Sequence, residues 1–126
     1  AGDCGVPVVF TGGVDDDDLV ILYAAADLFV MPGEARPDRV EGFGLAYLEA
    51  AAQGTPAVAS RVGAVPEVVR HDETGLLVEP GDVAGLAAAL AELIASPERT
   101  QRLAAAARDQ ARRYTWQRCA RLSYDI

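Results

Sequence analysis

The sequence predicts an α/β protein in which helices cover both faces of a parallel sheet. Four short apolar runs, each with the length and composition of a buried strand, alternate along the chain with segments of strong helix formers. Glycine and proline residues separate the runs from the helical segments, as in the tight loops of such proteins. Because parallel strands need crossover connections, this alternation indicates a Rossmann-like, doubly wound sheet.

The first run is Val6 to Thr11, which we expect to be a buried strand ending at Gly12 and Gly13. Asp15 to Asp18 follow and predict the first turn of a helix that ends near Asp27, because acidic side chains cap and stabilise a helix N-terminus. A divalent-cation site at these aspartates is the less favoured interpretation, since successive helical residues point in different directions.

The second predicted strand is Leu28 to Met31, and a polar loop from Pro32 to Val40 leads from it to Glu41. Strong helix formers then predict a helix from about Phe43 to Gln53, which a Gly-Thr-Pro sequence terminates.

This helix carries a carboxylate in an unusual position. At about 100° per residue, Leu45, Leu48 and Ala52 would form one buried arc, and Glu49 would lie at its edge. A carboxylate at such an edge needs hydrogen-bond donors, because desolvation without a partner is costly.

The residues before the helix predict a small anion site. Gly42 and Gly44 allow close approach of the backbone, the first helical amides are unpaired, and Glu41 lies beside them. Two glutamates at this spacing also occur by chance as surface residues, so only their context favours a functional interpretation.

The rest of the chain continues the alternation. We predict strands at Ala57 to Ser60 and Leu76 to Val78, and helices at about 66–70, 82–95, 97–113 and from 114 onward. Ligands of doubly wound sheets bind at the carboxyl ends of the strands. The loops predicted at those ends are 12–15, 31–44, 60–66 and 79–82, so the anion site falls within the expected ligand crevice.

Composition excludes several function classes. The 126 residues, 51% of them hydrophobic, fit one domain with a core. A P-loop is excluded because the chain contains no lysine, and the net charge of -8 argues against a nucleic-acid partner. Seven of the eleven arginines lie in residues 99–126. They form either a solvated face or a basic edge toward an anionic membrane surface or another domain.

Cysteine and histidine positions indicate no metal site or disulfide framework. Cys4 and Cys119 are far apart, and His71 is a lone histidine beside acids to which we assign no role. No run approaches the roughly 20 apolar residues of a membrane span. We expect a reducing, cytoplasmic compartment and no cofactor.

Six motifs in order resemble one enzyme family. They are VVFTGGV, LYAAADLFVMP, EGFGLAYLEAAAQGTPAVAS, GAVPEVV, HDETGLLVEPGD and RRYTW. Together, from about residue 6 to 116, they resemble the C-terminal, nucleotide-sugar-binding half of retaining glycosyltransferases of family 4, which have the two-domain GT-B fold. Within that family they resemble actinobacterial-type mannosyltransferases that act on phosphatidylinositol or related lipids.

The resemblance implies a role for each matching residue. Glu41 would lie against the donor sugar and the reacting centre, and Glu49 would hold the ribose hydroxyls. The segment Gly42, Phe43, Gly44 and Leu45 would meet the hexose and diphosphate at the helix N-terminus. The loop Gly12, Gly13, Val14 and Asp16 would contact the base, where an Asp16 carboxylate would suit guanine better than uracil because guanine offers two adjacent N–H donors.

The resemblance also implies that residues 1–126 are one incomplete domain. The first strands, with the arginine and lysine that grip the diphosphate, and the acceptor-binding N-terminal domain would belong to a longer parent chain. We therefore expect this polypeptide alone to be inactive and no metal to be needed. Its expected partners are a nucleotide sugar, the N-terminal domain and a membrane-associated acceptor. The acceptor would place the parent enzyme at the inner membrane face.

Two other functions are alternatives to a glycosyltransferase fragment. The same fold could serve as a non-catalytic nucleotide-sugar-binding or subunit-interaction module. A phosphoacceptor receiver domain is excluded, because its essential lysine is missing and the aspartates follow the strand into a helix.

Overall fold

The computed structural model describes residues 5–35, 38 and 44–124. Within this part of the chain the elements follow one another as helices α1 to α6 and strands β1 to β3. Their bounds are α1 Asp16–Ala25, β1 Phe29–Met31, α2 Leu45–Ala52, β2 Ala57–Ser60, α3 Val65–Val68, β3 Gly75–Val78, α4 Val83–Ala95, α5 Pro97–Ala111 and α6 Trp116–Tyr124.

The three strands form one parallel sheet in the order β1-β2-β3. Val58, at the centre of β2, is in register with Val30 on one side and Leu76 on the other. A helix lies in each connection between successive strands. The α/β fold class with a parallel sheet is therefore confirmed, as are the last three of the four predicted strands.

Helices pack on both faces of this sheet because successive strand residues point in opposite directions. Ala57 and Ala59 of β2 belong to one buried cluster with side chains of α2 and α3. Val58 belongs to a second cluster with Leu93 of α4 and Leu103 of α5. The predicted two-sided covering of the sheet is confirmed.

Aspartates cap two of the predicted helices. Asp15 Oδ1 accepts a hydrogen bond from the Asp18 backbone amide at 2.8 Å, and Asp82 Oδ1 accepts one from the Gly85 amide at 2.8 Å. Each satisfies an amide that the helix itself leaves unpaired. The acidic first turn of α1 is thus a helix start, as predicted.

The prediction of a buried strand at Val6 to Thr11 is wrong. These residues form no strand, and the side chains of Val6, Val8, Val9 and Phe10 are 61–87% exposed. An apolar run becomes a strand only by pairing its backbone, and in the described residues no strand lies beside this one. Composition alone could not reveal that β1, the nearest strand in sequence, pairs only with β2.

The predicted arc of α2 is wrong at two of its three residues, since Leu48 packs against the core but Leu45 and Ala52 do not. Tyr47 and Ala50 are its buried residues, whereas Leu45 is 60% exposed and Ala52 is exposed. The buried face is centred on Tyr47, which packs in the cluster with Ala57 and Ala59 of β2. Its hydroxyl also donates to the Met31 carbonyl oxygen at 2.7 Å.

The arginines of residues 99–126 are mostly exposed, with one exception. Arg99 has a side chain only 23% exposed, and its guanidinium donates to Asp72 Oδ1 at 2.7 Å and pairs with Glu92. His71, to which we assigned no role, accepts a hydrogen bond at Nδ1 from the Leu77 amide at 3.0 Å. The Arg99 and His71 side chains therefore stabilise the turn before β3.

Candidate functional site

The carboxyl edge of the sheet is held in shape by bonds between its loops. The Gly33 amide, just after β1, donates to Ser60 Oγ at the end of β2 over 3.1 Å, and Ser60 is buried. The Arg61 amide donates to the Val78 carbonyl oxygen at 2.8 Å. This edge, where ligands of such sheets bind, is therefore a fixed platform.

The start of α2 leaves backbone amides available at this edge. Gly44 caps the helix in the left-handed conformation, with φ of 72°, and offers no side chain to the first amides. A Cβ at this position would lie 2.7 Å from Cδ2 of Tyr47, so the site requires glycine on both counts. The Tyr47 amide donates to the Gly44 carbonyl oxygen at 3.0 Å, whereas no side chain caps the amides of Leu45 and Ala46. These two amides suit an external anion such as a phosphate.

Glu49 lies on the same face of α2 as Leu45, one turn further along. Residues four apart are about 6 Å apart along the axis and share a face. Both side chains are exposed. The structure thus brings together Gly44, Leu45 and Glu49 as a row of available amides followed by a carboxylate.

The Glu49 carboxylate has a partner that the sequence analysis missed. The hydroxyl of Tyr23, on α1, donates to Glu49 Oε2 at 3.3 Å. Burial, the negative charge of Glu49 and this hydrogen bond, in that order, raise the pKa of Tyr23 above its ordinary value. In the sequence, Tyr23 is a single tyrosine after a run of aliphatic residues. That pattern does not identify a partner 26 residues away.

The predicted base-contacting loop lies at the start of α1. Gly12, Gly13, Val14 and Asp16 are all exposed, before or in the first turn of α1. Gly12 has φ of 66°, which favours glycine. Asp16 precedes Tyr23 by seven residues, or about 10 Å along the helix axis. The loop therefore leads into the helix that contacts Glu49 through Tyr23.

Three predicted residues, Glu41, Gly42 and Phe43, lie outside the described residues. In the sequence they immediately precede Gly44. Their predicted roles at the donor sugar stay predictions.

A small internal cavity lies behind α2 and is distinct from the row of amides. Its volume is about 10 Å³, room for roughly one water molecule. Thr55, Thr74 and Gln110 are among its lining residues, and the buried Oε1 of Gln110 has no hydrogen-bond partner in the described part of the chain. The cavity is far too small for a nucleotide, so the open carboxyl edge is the candidate site.

No metal-binding cluster is found among residues 5–35, 38 and 44–124, where no three His, Cys, Asp or Glu side chains converge. In the same residues no helix is long and apolar enough to cross a bilayer.

Comparison with known proteins places these features in a family. Residues 3–110 match the family model described as "Glycosyl transferases group 1". Over 113 residues the chain is 44% identical to the GDP-mannose-dependent alpha-(1-6)-phosphatidylinositol monomannoside mannosyltransferase of Mycobacterium tuberculosis, covering 86% of this chain and 29% of that enzyme.

Solved structures show the same similarity. Sucrose-phosphate synthase from Thermosynechococcus elongatus superposes with a TM-score of 0.80 and 35% identity, over 91% of this chain and 28% of that one. Anabaena HepE in complex with UDP-glucose gives a TM-score of 0.72 and 30% identity, over 84% of this chain and 30% of that one. The chain thus spans less than a third of the length of these proteins.

Proposed function

The chain belongs to the group 1 glycosyl transferases, and we propose that it is the nucleotide-sugar-binding part of a longer enzyme. That enzyme would transfer a hexose, with retention of configuration, to a lipid or glycan acceptor. The observation that carries the proposal is the row on α2, in which available amides at a glycine-capped N-terminus are followed one turn later by the exposed Glu49 carboxylate.

Glu49 is the ribose-binding residue in this proposal. An ionised carboxylate has about four lone-pair positions, so the bond from Tyr23 leaves capacity for a vicinal diol. Charged acceptors form the stronger hydrogen bonds, and a diol supplies two donors to one carboxylate. The exposure of Glu49 leaves room for this ligand.

The start of α2 is the diphosphate and sugar site in this proposal. The amides of Gly44 and Leu45 would donate to the diphosphate, assisted by the positive end of the helix dipole. Glu41, Gly42 and Phe43, just before them in sequence, would meet the hexose. In the transition state Glu41 and these amides would stabilise the cationic sugar and the departing diphosphate, an electrostatic contribution that requires no metal.

We assign the base to the loop Gly12, Gly13, Val14 and Asp16. The mannosyltransferase relative uses GDP-mannose, whereas the HepE structure holds UDP-glucose. An acceptor carboxylate at Asp16 pairs with the two adjacent N–H donors of guanine, so we propose GDP, with mannose as the sugar. The acceptor site would lie in a second domain, and a membrane-associated acceptor would place the enzyme at the inner membrane face.

A titration tests this function directly. Two-dimensional NMR spectra of the ¹⁵N-labelled chain are recorded with GDP, UDP, ADP and GDP-mannose up to millimolar concentrations. We expect GDP and GDP-mannose to bind most tightly and to shift the amides of Gly44 and Leu45. Glu49→Ala should weaken this binding, whereas Glu98→Ala, which removes a glutamate from the first turn of α5, should not.

Two results of this titration would contradict the proposal. Equal binding to the Glu49→Ala and wild-type chains would remove Glu49 from the ribose site. A preference for UDP or ADP over GDP would overturn the assignment of Asp16 to guanine while leaving the α2 row in place.

A further inference from the structure

We propose that Tyr23 is a positioning residue, whose hydroxyl holds the Glu49 carboxylate in the orientation that receives the ribose of the nucleotide. The inference rests on the proposed function, because it assigns to Tyr23 a role exerted through Glu49. Its geometric basis is the hydrogen bond of 3.3 Å that crosses from α1 to α2.

The Tyr23 side chain is itself held in place by the base of the sheet. Its ring packs edge-on against Phe29 of β1, with centroids 5.5 Å apart and planes at 79°. Phe29 packs in the same way against Tyr47 of α2, with centroids 5.6 Å apart. The three rings form a row in the edge-to-face geometry that aromatic side chains favour.

The backbone of Tyr23 is anchored as well. Its carbonyl oxygen accepts a hydrogen bond of 2.5 Å from the hydroxyl of Thr55, a buried residue between α2 and β2. The Tyr23 hydroxyl is thus fixed with respect to α2 from both the ring and the main chain. An anchored donor defines one position for the carboxylate oxygen that it binds.

Glu49 needs such a partner because it is exposed. A free glutamate samples many rotamers, and binding a ligand would require that freedom to be lost. A donor that restricts Glu49 before the nucleotide arrives lowers that cost, which is the general effect of preorganisation.

The rest of α1 shows why this contact is not incidental packing. No residue of α1 is buried, and Val20, Ile21 and Leu22 are exposed. Tyr23 is one of the half-buried residues of the helix, and it is directed at the carboxylate. The bond operates with a protonated phenol, since an ionised one would repel Glu49. A phenol is already protonated at neutral pH, and the raised pKa of Tyr23 extends that range upward.

The test measures discrimination between ribonucleotide and deoxyribonucleotide, which a purely structural residue would not change. Dissociation constants of the chain for GDP, 2′-deoxy-GDP and 3′-deoxy-GDP are compared in the wild type, Tyr23→Phe and Glu49→Ala. We expect Tyr23→Phe to raise the dissociation constant for GDP by about 3- to 10-fold, the effect of one hydrogen bond. The dissociation constants for the two deoxynucleotides should change by less than about 2-fold. Glu49→Ala should abolish the discrimination.

Tyr47→Phe is the matched control. It removes a phenol hydroxyl from the same aromatic row, but that hydroxyl donates to the Met31 carbonyl oxygen rather than to Glu49. Its ratio of GDP to deoxy-GDP affinity should equal that of the wild type. If Tyr47→Phe lowers this ratio as much as Tyr23→Phe does, the effect comes from the stability of the three packed rings, and the inference is overturned.

A second readout needs no nucleotide. In a chain carrying ¹³C-labelled tyrosine, the ring resonance of Tyr23, identified by its absence in Tyr23→Phe, is followed as the pH is raised. Glu49→Gln should lower the pKa of Tyr23, because it removes the adjacent negative charge. An unchanged titration would show that the contact is absent in solution.

The failures of the two proposals are distinguishable. If Glu49→Ala abolishes discrimination and Tyr23→Phe leaves it intact, Glu49 binds ribose and Tyr23 does not position it. If Glu49→Ala leaves discrimination intact, or if the wild-type chain binds no nucleotide, the proposed function of this chain fails and the inference fails with it.

Discussion

Residues 5–31 and 44–111 of the same chain are built very differently. In the second region, which we call the packed region, every residue of β2 is buried and two apolar clusters cover the two faces of the sheet. In residues 5–31, which we call the exposed region, no residue of α1 is buried and the apolar run before α1 is largely exposed to solvent. The same residue types therefore have different environments in the two regions.

The candidate site is divided between these regions. Gly44, Leu45 and Glu49 are held by the packed region, whereas Gly12 and Asp16 belong to the exposed one. Rigid elements position functional groups more precisely than loops do. We infer that the packed region sets the diphosphate and ribose contacts and that the base contacts depend on how α1 is attached, which the following variants examine.

The largest expected difference comes from truncating one leucine in each region. Leu103→Ala removes a fully buried side chain of α5 and should reduce the free energy of unfolding by about 2–5 kcal/mol. Leu22→Ala, on exposed α1, should cost less than about 1 kcal/mol. Urea unfolding followed by circular dichroism measures both values.

If both leucine variants lower the free energy of unfolding by the same amount, the two regions do not differ in packing as proposed. A large loss from Leu22→Ala in particular would show that α1 is covered in solution by something that the described residues do not include.

Two glycines give a smaller contrast of the same kind. A Cβ at Gly75 would overlap the Ala57 carbonyl oxygen across the sheet and lie 2.9 Å from Cγ1 of Val69. Gly75→Ala should therefore cost about 1–3 kcal/mol through forced movement of β3. At Gly13 an added Cβ meets nothing within 4 Å and φ is not in the left-handed region, so Gly13→Ala should be neutral or slightly stabilising.

Thermal and urea unfolding of these two variants provide the comparison. A marked loss of stability in Gly13→Ala would mean that the loop before α1 is more constrained than its exposure indicates.

The attachment of α1 to the packed region can be weakened at one hydroxyl. Thr55→Val removes the hydrogen bond to the Tyr23 carbonyl oxygen and should cost about 1 kcal/mol. Because that bond joins the two regions, amide hydrogen exchange should accelerate in α1 and remain unchanged in α4 and α5.

Thr100→Val is the matched variant within the packed region, where its hydroxyl donates to the carbonyl oxygens of Leu93 and Ser96. It should accelerate exchange around the α4–α5 junction and leave α1 unchanged. Faster exchange in α1 in both variants, or in neither, would contradict the idea that Thr55 attaches α1 locally.

The success of sequence-based prediction depended on whether a feature is determined by local sequence or by a distant contact. Three strands, the aspartate cap of α1 and the existence of α2 were predictable, because local patterns and turn residues determine them. The strand at Val6 to Thr11 was not, since pairing depends on a partner rather than on composition. The face of α2 was missed for a similar reason, since the packing of Tyr47 against β2 and α3 depends on contacts distant in sequence.

The candidate site shows the same division. Glu49 stood out as a carboxylate on a largely apolar helix and is now seen beside available amides. Tyr23 could not be found, because its role depends on a contact between two helices that no spacing in the sequence specifies. Local chemistry was predictable, and its support from a second element was not.

The smallest expected effect concerns pH and the turn before β3. The hydrogen bond from Arg99, followed by its positive charge, lowers the pKa of Asp72 below its ordinary value. A carboxyl group whose pKa is lower in the folded than in the unfolded chain stabilises the fold above its unfolded pKa, and this contribution is lost as the pH falls through the folded pKa. The loss should therefore occur below about pH 4.

Asp72→Asn isolates this contribution, because asparagine tolerates the left-handed backbone, φ of 61°, that Asp72 adopts. Between pH 6 and pH 3 the melting temperature should fall slightly more in the wild type than in the variant. In the Arg99→Gln background the substitution should make no difference to that fall, since the partner is gone. A fall that Asp72→Asn leaves unchanged in the wild-type background would show that this partly exposed ion pair contributes nothing measurable to stability.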